Sequence, residues 1–418
     1  MLQSLKLVGV GPAPEMEMQF APRLNVLTGD NGLGKSLFLE TIWYVLTGNW
    51  AGLEAAPRLD IEPPKLEWSY QFADDTWKLI EAAYDKRTRK WVVEEELHER
   101  TSDIVLYARI DGSVAIWDPL RTFEDRRWGT GTVFQFSSKE ILDGKRTPER
   151  TIIRGLIEDW VTWQEKKLGT AGAKAFAHLR KILETLSPNP EGDEKIEIAE
   201  PERLVGDSRA FPQIDIGYGA VPIVHASAAM QRIISLAYLI TWAWHEHVEE
   251  ARVSKEKPVK NLVFLMDEVE NHLHPEWQRR ILPALLKVLE SLGDGMQVQM
   301  HVTTHSPLVL ASLEPHWDDK RDQLFHFALK DRKVVLDSEE LGRWGTASRW
   351  LKSRVFGLTA DRSIEAERAM NDANAYMRGE EPTYFKTPEE VDKELERTLW
   401  DQDPFWARWM TFMGKTKT

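Results

Sequence analysis

The sequence predicts an α/β fold with a parallel sheet, and three stretches carry that expectation. The first is "LNVLTGDNGLGKS", a strand that runs into a glycine-rich loop and opens a helix. The second is "LVFLMDE", Leu262–Glu268, an apolar strand that closes on two adjacent carboxylates. The third is "MQVQMHVTTH", Met296–His305, a strand that ends in a histidine. Apolar runs without alternation suit strands covered on both faces, as in a parallel sheet flanked by helices.

Taken in order, "LQSLKLV" and "LNVLTG" read as strands, and an apolar-periodic helix follows from Lys35 to about Leu46. Between Trp68 and Trp117 short β-like runs ("EWSYQF", "WKLIEAAY", "KWVVEEEL", "DIVLYARI", "SVAIW") alternate with polar turn residues, which predicts an antiparallel meander. "GTVFQFSS", Gly131–Ser138, is one more strand. Ile152–Gln164 and Ala173–Leu186 read as helices that end at "SPNPEGDE", the clearest linker in the chain. These signals divide the chain into a lobe with the phosphate loop and meander (1–138), a helical insertion and linker (139–212), a second α/β lobe (213–336) and a helical, Trp-bearing tail (337–418). No sustained heptads are present, so a long coiled coil is not expected.

The 418 residues carry a net charge of −13, which argues against a surface that is basic throughout but leaves room for a local stripe. With no cysteine there are neither disulfides nor thiolate metal sites. The longest nearly apolar stretch, Ile233–Trp244, falls short of the roughly 20 residues a membrane span needs. A soluble, cytoplasmic protein without a membrane partner is expected. The 18 tryptophans, many in spaced pairs such as Trp160/Trp163 and Trp406/Trp409, read first as packing surfaces.

The chemistry starts at Gly29, Asp30, Asn31, Gly32, Leu33, Gly34, Lys35 and Ser36, which fit G-x-x-x-x-G-K-[ST] between a strand and a helix. The glycines let backbone N–H groups turn toward phosphate oxygens, and the helix N-terminus adds partial positive charge. Lys35 is placed to neutralise the β- and γ-phosphates of ATP, and Ser36 to ligate Mg²⁺. Two adjacent carboxylates repel each other unless a cation sits beside them. Asp267 is therefore assigned to the metal and Glu268 to the attacking water. His305, between a strand and a helix capped by Ser306, falls where an imidazole could hydrogen-bond the γ-phosphate.

"TGDNGLGKS", "DEVENHLHP" and "HVTTHSP" together resemble the ABC-type ATPase heads of the SMC and OLD families, and more closely the compact bacterial ATPases of anti-phage defence operons. The resemblance covers roughly residues 1–50 and 213–315. It implies a P-loop NTPase of ABC/SMC-head type with an N-terminal antiparallel β meander, and a helical lobe where a coiled coil would extend. It also implies a second copy of the chain, with two heads closing around two ATP molecules. In such heads a Ser-Gly-Gly-Gln-type signature caps the γ-phosphate held by the partner. Here Ser227 stands at that place, in "HASAAMQRIISLAYLI", and alanines replace the glycines.

A glutamine that touches Mg²⁺ or water is also implied, with Gln135 the first candidate and Gln164 the second. His272 and His274, with His301 or His305, raise a zinc reading, but the resemblance puts the first two in a subunit-contact loop. Related OLD proteins carry a nuclease with an Asp-x-Asp pair; only "DQD", Asp401–Asp403, offers that pattern, within the last twenty residues, so no nuclease is expected in this sequence. The expected role is an ATP-hydrolysing switch that controls a separate effector, a nuclease or toxin, in a defence system. A DNA-clamping ATPase is the alternative, supported by basic clusters at Lys86–Lys90 and Arg126–Arg127. A nucleotide-dependent scaffold that does not hydrolyse is a third.

Overall fold

A computed structural model of the chain describes residues 1–58, 60–61, 63–71, 76–93, 101–121, 132–190, 192 and 195–414. It contains two compact units, Met1–Gly345 and Thr346–Thr418.

The larger unit opens with β1 (Leu2–Val8) and β2 (Glu15–Gln19), followed by β3 (Leu24–Gly29) and α1 (Lys35–Thr47). Next come β4 (Lys65–Gln71), β5 (Trp77–Asp85) and β6 (Lys90–Val93), then β7 (Ile104–Ala108), β8 (Val114–Asp118) and β9 (Thr132–Phe136). A middle section holds α2 (Ser138–Asp143), β10 (Lys145–Arg146), β11 (Thr151–Ile153), α3 (Leu156–Gln164) and α4 (Ala171–Leu186). The small strands β12 (Glu197–Arg203), β13 (Ala210–Asp215) and β14 (Ala220–Pro222) complete that section. The second α/β part is α5 (Ala228–Ser254), β15 (Asn261–Met266), α6 (Pro275–Gln278), α7 (Ile281–Glu290), β16 (Gln297–Thr303), α8 (Pro307–Leu313), β17 (Asp322–Lys330) and β18 (Lys333–Glu339).

Two sheets carry the unit. The larger has the order β18-β17-β3-β16-β15-β7-β8-β9. Its five central strands, β17 to β7, are mutually parallel, and β18, β8 and β9 pair antiparallel at the two flanks. The smaller sheet, β2-β1-β4-β5-β6, is antiparallel throughout. Helix α1 lies in one core with residues of both sheets, and its Phe38, Leu39, Ile42 and Trp43 are fully buried. A helix apolar on every side must be covered on every side.

The expected meander between Trp68 and Trp117 divides between the sheets. β4 alternates buried and half-exposed residues and stays in the antiparallel sheet. Every residue of "IVLYA" in β7 is buried, so that strand is taken into the larger sheet beside β15. Alternation places a strand at a solvated face, and its absence places it in a covered one. The helix expected from Ile152 begins only at Leu156. Gly155 adopts φ 92°, and a Cβ there would meet the backbone nitrogen of Gly144 at 2.3 Å.

The second unit holds α9 (Ala347–Leu351), α10 (Ile364–Arg378), α11 (Pro388–Thr398) and α12 (Phe405–Met413), with the last three packed on a core that includes Trp406 and Trp409. Its Asp403 is buried, pairs with Arg362, and accepts the Phe405 N–H at 2.8 Å, so this acid is committed to the fold. Trp43, Trp117, Trp160, Trp350 and Trp409 are fully buried, in keeping with the packing reading of the tryptophans. Among the described residues no helix is long and apolar enough to cross a membrane.

Candidate nucleotide site

Because the central strands are parallel, β3, β16 and β15 deliver their carboxyl ends to one edge, with β16 between the other two. The register is level there: Leu27 lies beside Thr303, and Val302 beside Met266. The chain leaves that edge as the glycine loop after β3, the acidic turn after β15 and the Thr304–His305 segment after β16.

The loop geometry requires its glycines. Gly29 has φ 125°, and a Cβ on it would stand 2.0 Å from the Phe327 carbonyl oxygen of the neighbouring strand. Gly34, at φ 102°, begins α1 with no side-chain cap, which leaves the first N–H groups of the helix to an anion. Lys35 is 6% exposed, and its Nζ donates to the carbonyls of Gly29 at 2.9 Å and Asp30 at 2.7 Å. Burial pulls its pKa down to about 8, against the opposing fields of Glu268, Asp267, Asp30 and Glu270. Asp30, Asn31, Gly32 and Ser36 are exposed along the loop, and Leu33 is buried beneath it.

At the acidic turn, Asp267 is buried and its Oδ1 accepts from Thr303 Oγ1 at 2.6 Å. The same hydroxyl accepts the N–H of Glu268 at 2.7 Å. Glu268 holds a left-handed φ of 46°, uncommon for a residue with a side chain and frequent at functional turns. Arg232 of α5 clamps the other side of this peptide, donating to the carbonyls of Asp267 at 3.2 Å and Glu268 at 3.3 Å. Burial lowers the Arg232 pKa, and Asp267, Glu268, Glu270 and Asp111 raise it.

His305 Nε2 lies 4.0 Å from Glu268 Oε1. Its pKa is lowered by burial and by the charge of Lys35, against Asp267, Asp30 and a hydrogen bond with the Gly29 backbone. The imidazole is therefore held toward its neutral form, in which one nitrogen donates and the other accepts. Its backbone N–H is received by Glu270 Oε1.

Thus Lys35, Asp267, Glu268 and His305 converge, as the sequence predicts. Gln135 does not join them: it lies on edge strand β9, three strands beyond β15 and on the order of 14 Å away at ordinary strand spacing. Its Nε2 donates to the Trp50 carbonyl at 3.0 Å. Gln164 closes α3 instead, accepting from Trp160 Nε1 at 3.1 Å. Ser227 is exposed and caps α5, its Oγ accepting the Met230 N–H at 3.3 Å. His301 is sealed inside β16 against Phe20, ring centroids 4.7 Å apart, and cannot ligate a metal with the exposed His272 and His274. Among the described residues no group of three or more acidic or histidine side chains is set to hold a metal by itself. One or two protein oxygens completed by phosphate suit Mg²⁺.

Sequence reasoning missed Arg232, Thr303 and Glu270. The last two lie inside the quoted motifs, whereas nothing about Arg232 marks it in the sequence.

With this geometry in hand, comparison with known families gives a match over residues 24–311 to "AAA domain, putative AbiEii toxin, Type IV TA system". The chain belongs to this family. The AAA domain so matched spans the loop, the acidic turn and His305. A curated relative, the Retron Ec83 probable ATPase of Escherichia coli, is 38% identical over 65 residues, which is 15% of this chain and 11% of that protein. Among solved structures, the SMC head domain from Thermotoga maritima aligns over 81% of this chain and 99% of its own, at 15% identity and a TM-score of 0.40. The recombination mediator RecF, solved as its ATPrS complex, aligns over 80% of this chain and 98% of its own, at 16% identity and 0.38. These likenesses are loose; the family match identifies the AAA domain.

Proposed function

We propose that this AAA domain is an Mg²⁺-dependent ATP-binding and ATP-hydrolysing switch that closes head-to-head with a second copy and controls a separate effector in a defence system. The observation that carries the reading is the meeting of Lys35, Asp267, Glu268 and His305 at one sheet edge. Four carboxylates (Glu268, Asp267, Asp30 and Glu270) act on Lys35, so the edge suits a cation bound with phosphate. Ser36 and Asp267 would hold Mg²⁺, which supplies counter-charge to the phosphates. Lys35, now turned back on loop carbonyls, would exchange them for phosphate oxygens. Glu268 would take the proton of the attacking water, and His305 would donate to the γ-phosphate. Ser227 would cap the nucleotide of the second copy, and Gln135 would need a rearrangement to reach it. The family description and the short retron match support the defence setting.

Turnover of Mg-ATP by wild type and by Lys35→Ala, with calorimetric ATP titration of both, tests this. Wild type should hydrolyse ATP, and the variant should fold, bind ATP at least ~100-fold more weakly and lose turnover. Unchanged ATP affinity in the variant would sink the phosphate-loop reading. A wild type that binds ATP without turnover, alone and with DNA, would make the protein a scaffold.

One observation favours DNA contact. The β5–β6 hairpin tip exposes Lys86, Arg87, Arg89 and Lys90. Arg126–Arg127, the other basic cluster, lies outside the described residues. Duplex binding that falls steeply with salt, and less steeply once these four cations are removed, would support the clamp.

A further inference from the structure

Glu270 does something the hydrolysis reading leaves unassigned. It sits in the turn two residues after Glu268, and Val269 N–H already ties that turn to β16 through the Thr303 carbonyl at 3.1 Å. The turn also closes on itself, Asn271 N–H to the Glu268 carbonyl and Leu273 N–H to the Glu270 carbonyl, both at 2.9 Å. The backbone fold of the turn therefore does not depend on the Glu270 side chain.

That side chain is nonetheless turned inward. Oε1 receives the backbone N–H of His305, and Oε2 is buried with no hydrogen-bond partner among the described residues. Burial raises its pKa, with Glu268 adding to the rise and the His305 and Thr304 contacts opposing it. An orphaned buried carboxylate oxygen is costly, and a residue that only shaped a turn would be better as an apolar side chain. The bond from the His305 N–H to Oε1 joins the loop that bears Glu268 to the loop that bears His305.

We propose that Glu270 is the positioning residue of the site, holding the His305 backbone so that its imidazole stays beside the Glu268 carboxylate. This rests on the hydrolysis reading above. What the bond needs is an acceptor at the reach of a glutamate side chain; the charge is secondary.

The test is steady-state ATP turnover by the full chain as wild type, Glu270→Ala, Glu270→Gln, Glu270→Asp, His305→Ala and Glu270→Ala/His305→Ala, with thermal unfolding of each. Glu270→Ala should lower kcat by on the order of 10²-fold, as small misplacements of catalytic groups do, and leave KM unchanged. Glu270→Gln, whose amide oxygen still accepts the N–H, should stay within roughly fivefold of wild type. Glu270→Asp, one methylene short, should fall between them, and it decides the matter if the alanine variant does not fold. In the His305→Ala background the alanine change should do little more, because the group it positions is gone. A merely structural glutamate would lower unfolding temperature and kcat in both backgrounds alike, and that result overturns the proposal. Wild-type turnover with an unaltered Glu270→Ala overturns it alone; no turnover in wild type overturns it together with the hydrolysis reading.

Discussion

The two ends of the large sheet differ in what their buried polar side chains are tied to. At the amino end, Asn25 both accepts from and donates to the backbone of Ala21, at 2.8 and 2.9 Å. Gln299 binds both backbone groups of Leu2, at 3.0 and 2.8 Å, and the Ala21 carbonyl at 3.0 Å. Arg23 forks onto Asp322. At the carboxyl end, Thr28 Oγ1 and Glu270 Oε2 are buried without hydrogen-bond partners among the described residues, and Lys35 rests on loop carbonyls with its pKa brought down to about 8. Closed networks stabilise and specify a fold, whereas unfilled ones leave room for a ligand to complete them. The amino end is largely closed by its own chain, with Asp103 Oδ1 and the ring nitrogens of His301 the buried atoms left without a partner among the described residues. The carboxyl end is built for something else to finish it.

The largest effect that could break this contrast concerns the reacting edge itself. Glu268→Gln should bind Mg-ATP normally and lose turnover by roughly 10²- to 10⁴-fold. Hydrolysis within about threefold of wild type would remove the general base from the site.

Next is the partner's contribution. In the Glu268→Gln background, Ser227→Asp should still fold, because aspartate ranks with serine as an N-cap, and should still bind ATP as a monomer. A carboxylate facing a γ-phosphate is repelled, so ATP-dependent dimerisation should weaken by on the order of 10²-fold in light scattering. Dimerisation equal to the parent's would leave Ser227 as a helix cap and nothing more.

A smaller effect sharpens the contrast through pH. Without nucleotide, Lys35 titrates near 8 in the folded chain, against 10.5 for an unperturbed lysine. Between those values the unfolded chain binds more protons, so the penalty of burying the charge is full below pH 8 and disappears as pH rises to 10.5. The unfolding temperature of wild type should therefore gain on that of Lys35→Met by roughly a few degrees across this window. A constant difference would mean the lysine is not held as described.

The smallest effect lies inside the sheet. His301 is fully buried, and neither ring nitrogen has a partner among the described residues. His301→Leu should stabilise the fold by on the order of 1 kcal/mol and leave turnover unchanged, whereas His305→Ala, four residues along, should lower turnover. Loss of activity in His301→Leu would show that the interior of β16 also serves the site.

The motifs, the strand–loop–helix around Lys35 and the acidic strand end were legible in the sequence because each is a local pattern whose chemistry follows from residue type and spacing. Lys35, Asp267, Glu268 and His305 were singled out that way as candidates. The fate of the meander was half legible: β4 alternates and β7 does not, yet pairing of β7 with β15 joins strands far apart in the chain. The same separation explains the misses. Arg232 reaches the acidic turn from a helix dozens of residues upstream, and Gln135 falls on an edge strand because β8 and β9 extend the sheet away from the loop.

By itself, the sequence determined what the edge is made of: a glycine loop that must take positive φ, a lysine that opens a helix, and two adjacent carboxylates and a histidine that follow strands. Only the tertiary structure decided the strand order that sets β16 between β3 and β15, and with it which groups meet. It also decided that Thr303, Arg232 and Glu270 hold the acidic turn and His305. Residue type and spacing act along the chain, whereas strand order and side-chain contacts follow from burying apolar faces that lie far apart in sequence.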